Sequence, residues 1–274
     1  MACLTLAGRR ICHFAGGLSR RGKIMTHRAA LITGGARRIG AAIVESLAEA
    51  GYSVCIHCRN LTDDSKQFVE RLRRRDFKVE IVVGNLSDHD VLERMIDEAV
   101  RTIGPLSLLV NSASVFDTDT LESFNLESWQ RNFDVNLRAP VFLTRKFSAQ
   151  AEGIDDPSVI NLVDHRVLKL TPQHFSYTLS KSALYTATIT MAQALAPNVR
   201  VNAIGPGPTL PNHHEGEAGL IREVAGIPLA RRVSTNDIAD AVLYLARARA
   251  VSGQLIAVDA GQHIGWKTPD IVSP

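Results

Sequence analysis

The sequence predicts one α/β domain, a doubly wound parallel sheet of seven strands with helices on both faces. Two observations indicate this fold class. Short, mostly apolar segments alternate with longer segments of helical periodicity from residue 28 onwards. Strands that are covered on both faces are expected to be apolar throughout, as these segments are. No internal repeat or low-complexity linker interrupts the alternation, so we expect a single domain over residues 25–274.

The predicted elements follow one another with short connections. Strands are expected at residues 29–33, 53–57, 79–83, 106–111, 158–163, 200–204 and 254–258, and helices at residues 38–50, 63–75, 88–103, 125–150, 176–196 and 236–248. Residues 205–232 break this rhythm because they begin with a run of Gly and Pro. A segment of this length is typical of a flap that covers a substrate.

Composition and charge exclude several classes of partner. The chain is 45% hydrophobic and 22% charged, which is typical of a globular protein. No apolar run approaches the ~18–20 residues needed to span a bilayer, so we expect no membrane partner. Five of the 31 basic residues lie in residues 1–24, and the remaining 26 face 28 acidic residues. We therefore expect no nucleic-acid partner.

Residues 1–24 are Arg-rich and contain no acid. This composition is typical of an organelle transit peptide, but it also fits translation from a start upstream of Met25. We favour the second interpretation, in which residues 1–24 form an extension outside the fold. The protein is then expected in the cytoplasm, with organelle import as the alternative.

Two clusters suggest a metal or redox site, but geometry argues against both. Cys55 and Cys58 lie in a predicted strand, where three residues span ~10 Å and the two side chains face opposite sides. A disulfide needs Cα atoms within ~7 Å. His213 and His214 are adjacent, so their side chains diverge. We expect free cysteines and no metal site.

A glycine-rich loop follows the first predicted strand, at residues 33–40. Glycines permit a tight turn and let the backbone approach a pyrophosphate, and the N-terminus of the next helix supplies N–H donors. The residues of this loop expected to bind a dinucleotide are Gly34, Arg37, Arg38, Ile39 and Gly40.

The second predicted strand indicates which dinucleotide binds. An NAD site places an acid at the end of this strand to hold the ribose 2′-hydroxyl. Here the strand is followed by Arg59 and no acid, and Arg37 lies in the glycine loop. Two guanidinium groups near the ribose would pair with a 2′-phosphate, so NADPH/NADP is the expected cofactor.

Tyr177 and Lys181 form a candidate catalytic pair. They are four residues apart, which places them on one face of a helix. Between residues 176 and 196, Lys181 is the sole charged residue. Its ammonium is expected to stabilise the phenolate of Tyr177 and to lower the pKa of Tyr177. Tyr177 would then give and regain a proton near neutral pH.

These segments, taken in order, resemble the classical short-chain dehydrogenase/reductase family over residues 28–265. The resemblance rests also on residues 111–114, on Asn136, on residues 205–207 and on residues 258–261. It implies a Rossmann-like fold and hydride transfer from NAD(P)H, with Asn136 and Lys181 holding a proton-relay water. The cofactor contacts it adds are Asn85, Leu86, Asn111, Ser112, Ala113, Ser114, Tyr177, Lys181, Pro206 and Gly207.

Four positions depart from the general pattern of the family. Arg38 stands for a loop glycine, Asn85 for an aspartate, Ser112 for an asparagine, and Asp164 for the serine thirteen residues before Tyr177. An Arg in the loop together with this Asp resembles the pteridine reductase branch, which includes bacterial alternative dihydrofolate or dihydromonapterin reductases.

The same branch implies a substrate site. It places Phe116 where those enzymes stack the pterin against the nicotinamide. The residues expected to contact substrate are Phe116, Asp164, Tyr177, Gly207 and Leu210.

Asp164 can also be interpreted from its charge. Beside a ketone, a carboxylate would oppose the negative charge that develops on oxygen, by several kcal/mol in a low-dielectric site. Beside a C=N bond, it stabilises an iminium or relays the proton that nitrogen must gain. A neutral Asp164 would act like Ser, and a salt bridge to Arg166 or Lys169 is a purely structural alternative.

The sequence therefore predicts an NADPH-dependent reductase that acts on the C=N bond of a pterin or dihydrofolate-like ring. The alternatives are a reductase of another carbonyl or imine compound, and a catalytically silent NADP(H)-sensing protein. We also expect a homotetramer through helices 125–150 and 176–196. The second helix carries a stripe of small or uncharged residues, Ala187, Thr190, Met191 and Ala194, which suits self-association.

Overall fold

The computed structural model describes residues 28–211 and 216–266. The predicted extension 1–24 and the pair His213 and His214 lie outside these residues. The strands form one parallel sheet of seven, in the order β3-β2-β1-β4-β5-β6-β7. They are β1 (Ala29–Thr33), β2 (Ser53–Cys58), β3 (Val79–Val83), β4 (Leu108–Asn111), β5 (Ser158–Leu162), β6 (Arg200–Pro206) and β7 (Leu255–Val258).

Helices cover both faces of this sheet, which confirms the predicted fold class. They are α1 (Arg38–Glu49), α2 (Asp63–Arg73), α3 (His89–Ile103), α4 (Leu126–Phe133), α5 (Ala139–Gln150), α6 (Phe175–Leu195), α7 (Gly216–Ala225) and α8 (Thr235–Arg247). α1, α2 and α8 pack into one hydrophobic cluster, and α3 and α5 pack into the other. None of the described helices is long and apolar enough to cross a membrane.

β1 shows why the strands are apolar at every position. Ala30 and Ile32 pack into the cluster on one face, whereas Ala29 and Leu31 pack into the cluster on the other. Successive side chains of a strand point to opposite faces, and here both faces are covered. All five residues of β1 are buried, so the sheet lies at the centre of the domain.

Several element bounds differ from the prediction. The helix expected at 125–150 is divided into α4 and α5 by a π-helical turn at Asp134–Arg138. β6 continues through Pro206, because Gly207 N still donates to Val258 O at 2.9 Å. The predicted flap therefore begins after β6 and includes α7, whose short amphipathic pattern was hidden among Gly and Pro residues.

Cys55 and Cys58 are buried and unbridged in β2. Burial raises the pKa of Cys55 to about 12 and also raises the pKa of Cys58. Both thiols therefore stay protonated at neutral pH, which suits a packing role.

Candidate active site

A first cavity lies at the carboxyl ends of β1, β2 and β4, where the strand order changes direction. Its volume is about 440 Å³. The loops after β1, β3 and β4 and the end of β2 form the lining. It includes most residues predicted to bind a dinucleotide, namely Gly34, Arg37, Arg38, Ile39, Gly40, Arg59, Asn85, Leu86, Ser112, Ala113 and Ser114.

Two glycines shape the loop between β1 and α1. Gly34 has a φ of +65°, in the left-handed region that favours glycine. A Cβ at Gly40 would lie 2.2 Å from the carbonyl oxygen of Gly34. The start of α1 can therefore lie this close to the loop only because residue 40 is glycine. The first turn of α1 thereby begins at the cavity, where its N–H groups and partial positive charge suit a pyrophosphate.

His57 fixes the position of this loop, a role that the sequence did not indicate. It is 2% exposed at the end of β2. Its Nδ1 accepts from Gly34 N at 3.2 Å, which leaves Nε2 to donate to Gly84 O at 2.9 Å. Burial lowers the pKa of His57, against the opposing effect of the hydrogen bond to Gly84. A neutral histidine therefore joins the loops after β1 and β3.

The cationic residues of the glycine loop take two different positions. Arg37 and Arg59 are exposed and line the first cavity, as an anion-binding role requires. Arg38 has a φ of +54°, a conformation that costs a non-glycine residue roughly 1 kcal/mol. Its guanidinium donates to Pro211 O at 3.1 Å, so Arg38 joins the glycine loop to the segment after β6.

Asn111 lies apart from the cavities, unlike the three residues that follow it. It is 2% exposed at the end of β4, and its Nδ2 donates to Asn161 Oδ1 of β5 at 2.9 Å. It lines neither the first cavity nor the second one described below. The strand end is enclosed by its neighbour, so the Asn111 side chain joins two strands and does not face a ligand.

Asn136 is also enclosed, in the π-helical turn between α4 and α5. Its Oδ1 accepts from Ser114 Oγ and Val115 N, both at 3.0 Å. Its Nδ2 donates to Val115 O and to Ser180 Oγ of α6, both at 3.1 Å. Asn136 thus connects the loop after β4 to α6. The water that Asn136 and Lys181 are predicted to hold stays a prediction.

A second cavity of about 440 Å³ adjoins the first. Both cavities are lined by Arg37, Arg38, Ile39, Ser112 and Ser114. The ends of β5 and β6 and the first turns of α6 bring together the other predicted site residues. These are Phe116, Asp164, Tyr177, Lys181, Pro206, Gly207 and Leu210.

The hydroxyl of Tyr177 is bonded to Asp164. Tyr177 is 5% exposed, and its Oη donates to Asp164 Oδ2 at 2.7 Å. Burial, the negative charge of Asp164 and this hydrogen bond raise the pKa of Tyr177 well above its usual range. Tyr177 is therefore a neutral phenol at physiological pH.

The predicted lowering of the pKa of Tyr177 by Lys181 is wrong in this structure. The Nζ of Lys181 lies 5.8 Å from the centroid of the Tyr177 ring and donates to Leu162 O at 2.8 Å. Asp164 contacts the hydroxyl directly, so its charge dominates. Burial lowers the pKa of Lys181 itself to about 8, with the charge of Asp164 opposing, so Lys181 is mostly protonated at neutral pH.

Asp164 contacts Tyr177 and also pairs with Arg166, the two arrangements that the sequence left as alternatives. Its Oδ2 lies 3.4 Å from the guanidinium of Arg166. Its Oδ1 accepts from Arg166 N at 2.8 Å. Burial opposes ionisation, but a hydrogen bond from His165 and the charge of Arg166 outweigh it and hold the pKa of Asp164 below its usual range. Lys169 is not its partner and donates to Gly265 O at 2.8 Å.

Phe116 packs within the lining of the second cavity. Its ring stacks on His174, with centroids 4.0 Å apart and an angle of 26°. It also meets the Tyr177 ring edge to face, at 4.7 Å and 83°. These contacts hold Phe116 beside the tyrosine, and the stacking of a substrate on Phe116 stays a prediction.

Asp119 is a positioning residue that sequence reasoning missed. It is 4% exposed, and its carboxylate accepts from both the N–H and the hydroxyl of Ser176. This contact fixes the first turn of α6, one residue before Tyr177. Asp119 precedes Ser176 by 57 residues, and no periodic pattern connects a loop residue to a helix so far away.

The fold and the two cavities define a class of protein. A parallel sheet with a glycine loop at the change of strand order suits a dinucleotide, and a buried Tyr, Asp and Lys adjoin that site. This is the arrangement of a dinucleotide-dependent oxidoreductase.

Comparison with known proteins gives the family. The family model described as enoyl-(acyl carrier protein) reductase matches residues 34–263. The chain belongs to the short-chain dehydrogenase/reductase family. A 3-oxoacyl-[acyl-carrier-protein] reductase, FabG, from Staphylococcus aureus is 28% identical over 242 residues, which are 86% of this chain and 98% of that protein.

Two solved structures are more similar and agree with the predicted pteridine reductase-like branch. FolM alternative dihydrofolate reductase 1 from Brucella canis, complexed with NADP, is 42% identical with a TM-score of 0.87, and covers 92% of this chain and 100% of its own. The protein of the same description from Brucella suis, also in complex with NADP, is 43% identical with a TM-score of 0.87, covering 91% and 100%.

Proposed function

We propose that this protein is an NADPH-dependent reductase of the C=N bond in a pterin or dihydrofolate-like ring. The observation that carries the proposal is the hydrogen bond from Tyr177 to Asp164, at 2.7 Å, in a cavity that adjoins the glycine loop. The likeness to the two FolM proteins supports the same substrate class.

The residues of the first cavity fit NADPH. The glycine loop and the first turn of α1 would hold the pyrophosphate. Arg37 and Arg59 are exposed at the same cavity and would pair with the 2′-phosphate, which NADH lacks. Bound NADPH would supply a hydride to the substrate carbon.

Tyr177 would donate the proton that the substrate nitrogen needs. Its phenol is neutral at physiological pH, because burial and Asp164 raise its pKa. A phenolate beside the Asp164 carboxylate is unfavourable, so Tyr177 would recover its proton before the next turnover. The pKa of Lys181 is about 8, so Lys181 would keep a positive charge near the ring. It would also hold the cofactor ribose.

Asp164 favours an imine over a ketone. Arg166 and His165 hold it ionised, and an ionised carboxylate opposes the negative charge that a ketone oxygen develops. The same charge stabilises a protonated C=N bond. Phe116, Gly207 and Leu210 would contact the flat ring from the lining of the second cavity.

A substrate panel tests the proposal. Purified protein with NADPH is offered dihydrofolate, dihydromonapterin and simple ketones, and the loss of NADPH absorbance is followed. We expect turnover of the dihydropteridines and little with ketones. Turnover of ketones alone would favour the alternative, a reductase of another carbonyl compound. Tight NADPH binding without any turnover would favour a silent NADP(H)-sensing protein.

We propose a homotetramer as the assembly. Ala187, Thr190, Met191 and Ala194 lie along one stripe of α6 and are partly or fully exposed, and Met191 also packs against the hydrophobic cluster of α3 and α5. These four side chains carry no charge, and a stripe of small residues lets two copies of a helix approach closely about a two-fold axis. A cytoplasmic location completes the proposal.

A further inference from the structure

A third cavity, which we call the side cavity, adjoins the second one. Its volume is about 650 Å³. Residues 118–120 and 173–174, Lys169 and part of α7 contribute to its lining. His165, Arg166 and Glu223 line both cavities, so the two cavities meet at these three residues.

Arg166 lies at this junction, and it has guanidinium N–H donors without a hydrogen-bond partner in the described part of the chain. Its side chain is 18% exposed, and one terminal nitrogen lies 3.4 Å from Asp164 Oδ2. Among the described residues, its other guanidinium N–H groups make no hydrogen bond. Partly buried donors without partners favour an acceptor that a ligand would bring.

Lys169 adds a second positive charge to the side cavity. Its Nζ donates to the backbone oxygens of Gly265 at 2.8 Å and Gln262 at 3.4 Å. It forms no ion pair with a carboxylate in the described part of the chain. A lysine at a cavity with carbonyl partners alone keeps its full charge available to an anion.

The two carboxylates of the side cavity form no ion pair with Arg166 or Lys169 in the described part of the chain. The Asp119 carboxylate accepts from the N–H and the hydroxyl of Ser176. Glu223 accepts from the side-chain amide of Gln262 at 2.8 Å. Each acid of this lining is thus bound to a neutral donor and leaves both cations unpaired with it.

We propose that the side cavity binds a carboxylate-bearing chain of the substrate, held by Arg166 and Lys169. The inference rests on the proposed function and refines it, since a pterin ring in the second cavity would extend its substituent past Arg166. A folate-type substrate, whose chain ends in glutamyl carboxylates, is then preferred to a pterin with an uncharged side chain.

Steady-state kinetics of the Lys169→Glu variant test this inference. For the unmodified protein, kcat/KM is expected to be higher with dihydrofolate than with dihydromonapterin, and KM for dihydrofolate is expected to rise with ionic strength. In Lys169→Glu, KM for dihydrofolate should rise by about 5-fold to 10-fold, and the preference between the two substrates should move towards dihydromonapterin.

Two further variants separate charge from structure. Lys169→Arg keeps the charge and the donors, so it should retain the preference for dihydrofolate. Lys66→Glu makes the same charge change on the exposed face of α2, where Lys66 pairs with Asp63 at 3.1 Å, and it should leave both KM values unchanged. An equal response of both substrates to Lys169→Glu would overturn the inference.

The outcomes distinguish this inference from the proposed function. If neither dihydropteridine is reduced, the proposed function fails. Calorimetry with p-aminobenzoylglutamate alone then still tests the side cavity. Binding that weakens in Lys169→Glu supports the anion site, and absent or unchanged binding overturns it.

Discussion

The Tyr177 hydroxyl donates a hydrogen bond of 2.7 Å to the Asp164 carboxylate, thirteen residues earlier in the chain. Asp164 follows the end of β5 and Tyr177 lies in the first turn of α6, so the sheet edge and the helix start bring them together. The contact helps to keep Tyr177 a neutral phenol at neutral pH. It also links this phenol to a carboxylate that Arg166 keeps ionised.

Replacement of Asp164 tests this pair. In Asp164→Asn, the pKa of Tyr177 should fall towards 10, because the negative charge that helps to raise it is removed, while burial still raises it. NMR titration of labelled tyrosine measures this shift. Turnover of dihydropteridines should fall roughly 100-fold with little change in NADPH affinity. The exposed Asp155→Asn serves as control, and unchanged turnover in Asp164→Asn would refute the role.

Arg37 and Arg59 are expected to decide cofactor choice. The unmodified protein should bind NADPH far more tightly than NADH, and the double variant Arg37→Ala/Arg59→Ala should lose this preference. A hydrogen bond to a charged group contributes about 1.5–3 kcal/mol, so each Arg accounts for roughly 10-fold or more in affinity. Fluorescence titration with both dinucleotides measures the ratio. Arg74→Ala, an exposed Arg of the α2 C-terminus, should not change it.

His57 is expected to make the fold sensitive to acid. Burial lowers its pKa below the ordinary 6.5, so the unfolded chain takes up a proton at a higher pH than the folded chain. The stability that neutral His57 contributes is therefore present above about pH 6.5 and is lost as the pH falls through the lower folded pKa. Protonation at Nδ1 also removes the acceptor of Gly34 N.

Thermal unfolding and NADPH titration from about pH 5 to pH 8 measure both effects. In His57→Asn, the midpoint of unfolding should depend less on pH, and NADPH should bind more weakly at neutral pH because the loop loses its contact. The exposed His89→Asn is the control and should retain the pH dependence of the unmodified protein. If His57→Asn shows the same pH dependence as the unmodified protein, His57 is not the titrating group.

The proposed tetramer depends on the outer side of α6. The double variant Ala187→Arg/Ala194→Arg places like charges against each other across a two-fold axis. It should dissociate the assembly while it leaves the fold intact by circular dichroism. Light scattering at micromolar concentration measures the mass. Ala250→Arg, exposed after α8, should stay tetrameric, and an unmodified protein that is monomeric would refute the proposal.

The sequence alone determined the fold class, because strands of a sheet that is covered on both faces form short apolar segments in the sequence. The strands from β1 to β7 are mostly apolar, and the helices alternate with them. It did not determine the division of the helix at 125–150. In the π-helical turn there, Asn136 is bonded to Ser114 and Ser180, which come from other elements.

The glycine loop and the spacing of Tyr177 and Lys181 could also be identified from the sequence, since both patterns lie within a few residues of the chain. Only the tertiary structure decided the electrostatics of the site. Tyr177 pairs with Asp164, Gly34 with His57, and Ser176 with Asp119. Such contacts join elements whose approach is set by the packing of the whole sheet, whereas periodicity reports interactions within a few residues. The sequence therefore names the candidate groups, and the packing sets their pKa values.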